Sequence, residues 1–138
     1  MSATGERGFT LLEMMIAVAI MALITGLGWP AVGQLLSRTA LAQARGTLTL
    51  TIARARNLAL TRDAPVTVSL TAETPAQLVL SDGAAIALPR GVSIDWPAGG
   101  VVIYGDGSTA GATGLIHIGA AGSRYTVDPA TARASFAP

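Results

Sequence analysis

The chain has 138 residues, a formal charge of +1, 12% charged and 51% hydrophobic residues. This is enough for one domain with a small globular part, and the net charge predicts no nucleic-acid partner. There is no cysteine, all nine basic residues are arginine and there is one histidine. Disulfides, thiol nucleophiles, thiolate metal sites, a lysine Schiff base, a P-loop lysine and two-histidine metal motifs are thereby excluded.

Residues 5–30 read GERGFTLLEMMIAVAIMALITGLGWP. A polar leader ends at Gly8, and about twenty apolar residues follow, interrupted by Glu13. A run of that length predicts a bilayer-spanning helix, at about 1.5 Å per residue across a core about 30 Å thick. A carboxylate inside such a segment costs roughly 2.5–3.5 kcal/mol on insertion scales, which makes Glu13 a functional candidate. Trp29, at the end of the run, suits the lipid–water boundary. A competing reading is an ordinary secretory signal cut after Ala40-Leu41-Ala42, leaving Gln43 first. That triplet lies well beyond the end of the run at Leu27, with Pro30 between.

Gly8-Phe9-Thr10-Leu11-Leu12-Glu13 resembles the class III signal of type IV pilins and type II secretion pseudopilins. In that family a prepilin peptidase cuts after the glycine and methylates the new N-terminal residue. The resemblance implies a leader at 1–8, cleavage after Gly8, N-methylation of Phe9 and a transmembrane assembly helix at 9–30. Pro30 falls where many members also carry proline, and proline is expected to kink or locally break the helix. Glu13 is then an assembly residue, its acid pairing with the Phe9 amine of a neighbouring subunit. At 4 Å and an effective dielectric near 20 such a pair gains about 4 kcal/mol, similar to the insertion cost of the acid. The pairing would favour assembled subunits and set their axial stagger. The plainer reading is a Glu that faces its own backbone amides at the helix start. Glu6 and Arg7 cancel, while Arg38 and Arg45 lie beyond the run, so the positive-inside bias is weak or adverse. The resemblance alone places the N-terminus in the cytoplasm and the C-terminal domain in the periplasm.

Residues 31–61 are predicted to continue as amphipathic helix. Leu41, Ala44, Leu48, Ile52, Ala55 and Ala59 recur at spacings of three and four and form one apolar stripe. Arg38, Arg45 and Arg56 share a strip beside it, read as a solvated or subunit-contacting edge, since no stacking aromatic lies among them to favour nucleic acid. Gly46 is the weak point, costing about 1 kcal/mol against Ala. From Phe9 to about Leu60 the helix would measure roughly 75–80 Å.

At Asp63-Ala64-Pro65 the period changes to two, opening a β-rich domain at 62–138. Val66, Val68 and Leu70 alternate with polar residues as a half-buried strand. Further strands are expected at 77–81 and 84–88, joined by Asp82-Gly83 as the two positive-φ residues of a tight hairpin. Strands at 92–96, 101–104, 115–119, 124–127 and 131–136 follow, with turns at Pro89-Arg90-Gly91, Pro97 to Gly100 and Asp128-Pro129. The expected fold is α+β: a long N-terminal helix packed on a small antiparallel β-sandwich of seven or eight strands.

That order resembles the GspH/FimT branch of the minor pseudopilins. Tyr104-Gly105-Asp106-Gly107-Ser108-Thr109-Ala110-Gly111 looks like the branch's aromatic-x-Asp-Gly-small-small-small-Gly stretch. Tyr125 to Val127 and the final hairpin resemble its C-terminal end, although Thr131-Ala132-Arg133 replaces the usual Thr-Gly-Arg. The resemblance implies a non-enzymatic structural protein. Its partners would be major and minor pseudopilins, prepilin peptidase and the inner-membrane assembly platform of a type II secretion system, in a fibre that drives protein export. The alternative it leaves open is a type IV pilus minor pilin, a group in which some members bind DNA during uptake. Against DNA stand only Arg62, Arg90, Arg124 and Arg133 facing six acids from Asp63 onward.

No cofactor or metal is expected. Gly105 to Gly114 is read as a flexible subunit-contacting loop, because no lysine and no following helix support a phosphate cradle. His117 is read as a surface strand residue. A catalytic role would need Ser123 and Asp128 beside it, and no nucleophile elbow surrounds them. The acids on the turns lack calcium-loop spacing. Trp96 is expected in the core or at a sheet edge.

Overall fold

The computed structural model describes residues 10–137, with backbone only at 27–31. Gly8 and Phe9 lie outside the described residues, and so does the side chain of Pro30 with its expected kink. The chain divides into two units between Leu35 and Leu36. One helix, α1 (Leu11–Arg62), contributes to both.

In the first unit, residues 10–26 are exposed throughout. Thr10 caps the helix. Its hydroxyl oxygen accepts the Glu13 N–H at 3.2 Å, and its carbonyl accepts the Met14 N–H at 3.2 Å. A threonine outside the first turn satisfies a donor that the helix itself leaves unpaired.

In the second unit, α1 buries a single face. Leu41, Ala44, Leu48, Ile52, Ala55 and Ala59, the six residues of the expected stripe, are all buried. Full burial of a leucine or isoleucine side chain stabilises by roughly 1.5–3 kcal/mol, so this face holds the helix to the sheets. Thr51 is buried beside them, its hydroxyl donating to the Thr47 carbonyl at 2.7 Å. The helix stops where Asp63 turns left-handed, at φ 49°, and the Ala64 N–H closes back on the Ala59 carbonyl. That six-to-one bond satisfies a terminal carbonyl and releases the chain into the first strand.

Eight strands follow: β1 (Val66–Thr71), β2 (Gln77–Leu80), β3 (Ala85–Ala87), β4 (Ser93–Ile94), β5 (Val101–Ile103), β6 (Ala112–Ile118), β7 (Ala121–Val127) and β8 (Ala134–Ala137). They form two four-stranded antiparallel sheets, ordered β3-β2-β1-β5 and β4-β6-β7-β8. The long helix packed on antiparallel sheets is the α+β arrangement expected from the sequence. Alternation sets the faces: Val66 and Val68 are buried while Ser69 is exposed, and Ser123, Tyr125 and Val127 are buried while Arg124 and Thr126 are exposed.

Tyr125 is the largest fully buried side chain. Its hydroxyl donates to the Asp95 carbonyl at 2.5 Å, and its ring stacks on Trp96 with centroids 5.7 Å apart. The half-buried Trp96 donates from its indole Nε1 to the Val68 carbonyl at 3.0 Å, tying the two sheets together. Gly114, paired with Tyr125, must be glycine: a Cβ there would stand 2.7 Å from Tyr125 Cε1 and strike the Asp95 carbonyl.

Three expectations change. At the β2–β3 hairpin only Gly83 has positive φ, at 90°. Asp82 instead accepts the Ala84 N–H on its carboxylate at 2.9 Å, so side-chain bonding replaces the second left-handed residue. β6 and β7 begin three residues earlier than the hydrophobic pattern indicates, because Ala112-Thr113-Gly114 and Ala121-Gly122-Ser123 take their places from cross-strand pairing rather than from apolar alternation. The segment after Tyr104, expected as a flexible loop, is a bonded turn. The Tyr104 N–H reaches the Ser108 carbonyl at 2.9 Å, the Gly107 N–H reaches the Tyr104 carbonyl at 2.8 Å, and Arg56 Nε donates to the Gly107 carbonyl at 3.3 Å.

Candidate processing and assembly site

The functional candidate is the start of α1. From 11 to 26 every residue is apolar except Glu13, Thr25 and Gly26. The exposure is large: Leu11 80%, Met21 72%, Val18 65%. A helix that is apolar on every side belongs inside something, either a protein interior or a lipid phase. Contiguous apolar surface of this kind marks an interaction or membrane site.

Two polar side chains interrupt that surface, and they differ. The Thr25 hydroxyl donates to the Met21 carbonyl at 2.7 Å, so it enters an apolar medium already satisfied. The Glu13 backbone is bonded to Thr10, but its carboxylate has no bonded partner among the described residues. Its place in the first turn points it at the positive end of the helix dipole, worth typically 0.3–1 kcal/mol. That is less than the roughly 2.5–3.5 kcal/mol that a carboxylate costs within lipid, so the helix start alone would not offset such a transfer.

Among the described residues no helix is long and apolar enough to cross a membrane. Of the expected span at 9–30, Phe9 and the side chains at 27–31 fall outside the description.

The other sequence candidates separate in space. His117 is exposed and pairs with Gly122, whereas Ser123 is buried and donates to the Ala137 carbonyl at 2.6 Å. Asp128, beyond the opposite end of β7, accepts the Thr131 hydroxyl and N–H at 2.7 and 2.8 Å. The Thr131 hydroxyl, then its N–H, hold the Asp128 carboxyl below its ordinary value. These three residues form no nucleophile–base relay. The Ser108 hydroxyl and N–H likewise hold Asp106 low, which makes Asp106 a turn-closing residue. Among the described residues no three His, Cys, Asp or Glu side chains gather as a metal cluster.

Two members of the arginine strip are engaged within the fold. Arg45 lies 5.9 Å from the Phe136 ring centroid, and Arg56 binds Gly107. Phe136 is the aromatic partner that a search along the helix alone could not find, because it lies on the last strand.

Residues 4–29 match the prokaryotic N-terminal methylation motif, the class III signal of type IV pilin-like proteins. No curated protein and no solved structure matches the chain. The motif spans Gly8, Phe9 and Glu13, and it brings two consequences: processing by prepilin peptidase and assembly with other pilin-like subunits. The N-terminus is pilin-like, and its motif points to a component of a pilus or pseudopilus.

Proposed function

We propose that this chain is a structural minor pseudopilin of a type II secretion system, most similar to the H-type subunit, with no catalysis of its own. Cleavage after Gly8 leaves a cationic amine on Phe9. The 9–30 segment is held in the inner membrane with its N-terminus cytoplasmic, then joins the helical core of a periplasmic fibre beside major and minor subunits on the assembly platform. The observation that carries this reading is the bare apolar helix with one unpartnered acid, three residues beyond its cap. Lipid covers the apolar surface before assembly, and neighbouring helices cover it afterwards. Only the second environment supplies a cation for Glu13. The Tyr104 to Gly111 turn and the helix-on-sheets fold support the H-type assignment.

Two measurements test it. N-terminal sequencing of the mature protein is expected to begin at methylated Phe9; a chain beginning at Gln43 would overturn the processing step. Glu13→Ala is expected to insert normally and to be lost from purified fibres. Normal incorporation would remove the role given to Glu13. A type IV pilus minor pilin is the second reading, and the motif at 4–29 supports it equally. Co-purification with a major pseudopilin rather than a major pilin separates the two.

A further inference from the structure

The second unit has a feature that helix assembly does not use. β8 is the outer strand of its sheet, and among the described residues no strand pairs with its far side. The Asp128 N–H donates to the Arg133 carbonyl, so positions 133, 135 and 137 face β7. By alternation the amides and carbonyls of Ala134 and Phe136 face outward. Beside that edge lies a groove of about 530 Å³, whose other wall is the α1 face of Thr49, Ala53, Arg56 and Asn57. Arg133 and Arg56 both line it, and among the described residues no acid does.

An open edge is a template for another strand, and proteins usually blunt or cover it. Here a groove separates the flanking helix from the edge at 132–135. The groove offers backbone donors and acceptors along one wall, a mainly apolar lining and the guanidinium groups of Arg56 and Arg133. That set selects an extended segment carrying carboxylates, because main-chain bonds give affinity and side-chain pockets give selectivity in strand addition. We infer that the groove between α1 and β8 docks an extended acidic segment of a partner protein, which joins the β4-β6-β7-β8 sheet as a fifth strand beside β8. Arg133 and Arg56 meet its carboxylates. The site does not depend on the processing or assembly of the N-terminal helix.

The test uses the full chain in detergent micelles and a fluorescent short peptide alternating glutamate and valine. Saturable binding is expected, with amide exchange slowed at Ala134 and Phe136. Arg133→Glu, at an exposed position, is expected to weaken binding at least tenfold, and Arg90→Glu, outside the groove, to leave it unchanged. The same peptide with alternate backbone amides methylated is expected not to bind. Absence of saturable binding up to millimolar peptide overturns the inference. So does equal binding of the methylated peptide or of a lysine–valine peptide. Preferential binding of duplex DNA, lost in Arg133→Glu, would also overturn it and assign the groove to phosphate.

Discussion

Leu48 and Leu50 are the same residue, two positions apart on one helix, yet Leu48 is 0% exposed and Leu50 is 71% exposed. In the second unit α1 therefore has two faces, one committed to the sheets and one to solvent or a neighbour. In the first unit α1 has no such division: Leu11, Ile16, Met21 and Ile24 are all exposed although all are apolar. The lesson is that apolar residues stabilise this fold only where the chain supplies its own partner surface. Elsewhere the same chemistry leaves apolar surface for a partner or a lipid phase to cover.

That contrast can be broken by mutation. Leu48→Ala is expected to cost about 2–5 kcal/mol, read as a large fall in the Tm of the β-rich unit, because a fully buried side chain leaves a cavity. If the cost is under about 1 kcal/mol, the buried face of α1 does not hold the sheets, and the contrast fails.

The core of the second unit sharpens it through pH. Burial, and then the charge of Asp95, push the Tyr125 phenol from 10.0 up to about 12. The folded form thus favours the neutral phenol. Its contribution is complete below pH 10 and is lost as pH rises from 10 through about 12, amounting to roughly 2–3 kcal/mol for a shift of this size. A Tm–pH profile is expected to fall in that window, and Tyr125→Phe to flatten it.

Smaller effects are expected in the first unit. Thr10→Ala removes the cap and is expected to cost about 1 kcal/mol locally, seen as amide exchange at Glu13 and Met14 about fivefold faster. Val18→Ala is expected to leave the Tm within about 0.5 kcal/mol equivalent, since its side chain touches no folded partner. The same substitution should lower fibre incorporation, measured by subunit recovery. A stability loss there as large as at Leu48 would show that the two regions follow one rule.

Much of this was legible in the residues themselves. The Leu41 to Ala59 stripe follows from helical period, because a helix repeats its face every 3.6 residues whatever it packs on. The β1 faces follow from alternation, and Gly83 from the need for positive φ. The signal at 4–29 is likewise local, since it is a run of neighbouring residues. The early starts of β6 and β7 were hidden because glycine and threonine carry no apolar signal; Gly114 is fixed by the ring of Tyr125 opposite it.

Sequence alone therefore determined what depends on neighbours along the chain: the processing signal, the apolar character of the first helix segment, the buried stripe and the approximate strands. Tertiary structure decided what depends on residues brought together from afar. It stacked Trp96 on Tyr125, placed Phe136 over Arg45, parted His117 from Ser123 and left the β8 edge open beside Arg56 and Arg133. The reason is physical: periodicity reports which face of an element is apolar, whereas partner identity depends on sheet order and register, which no local pattern encodes.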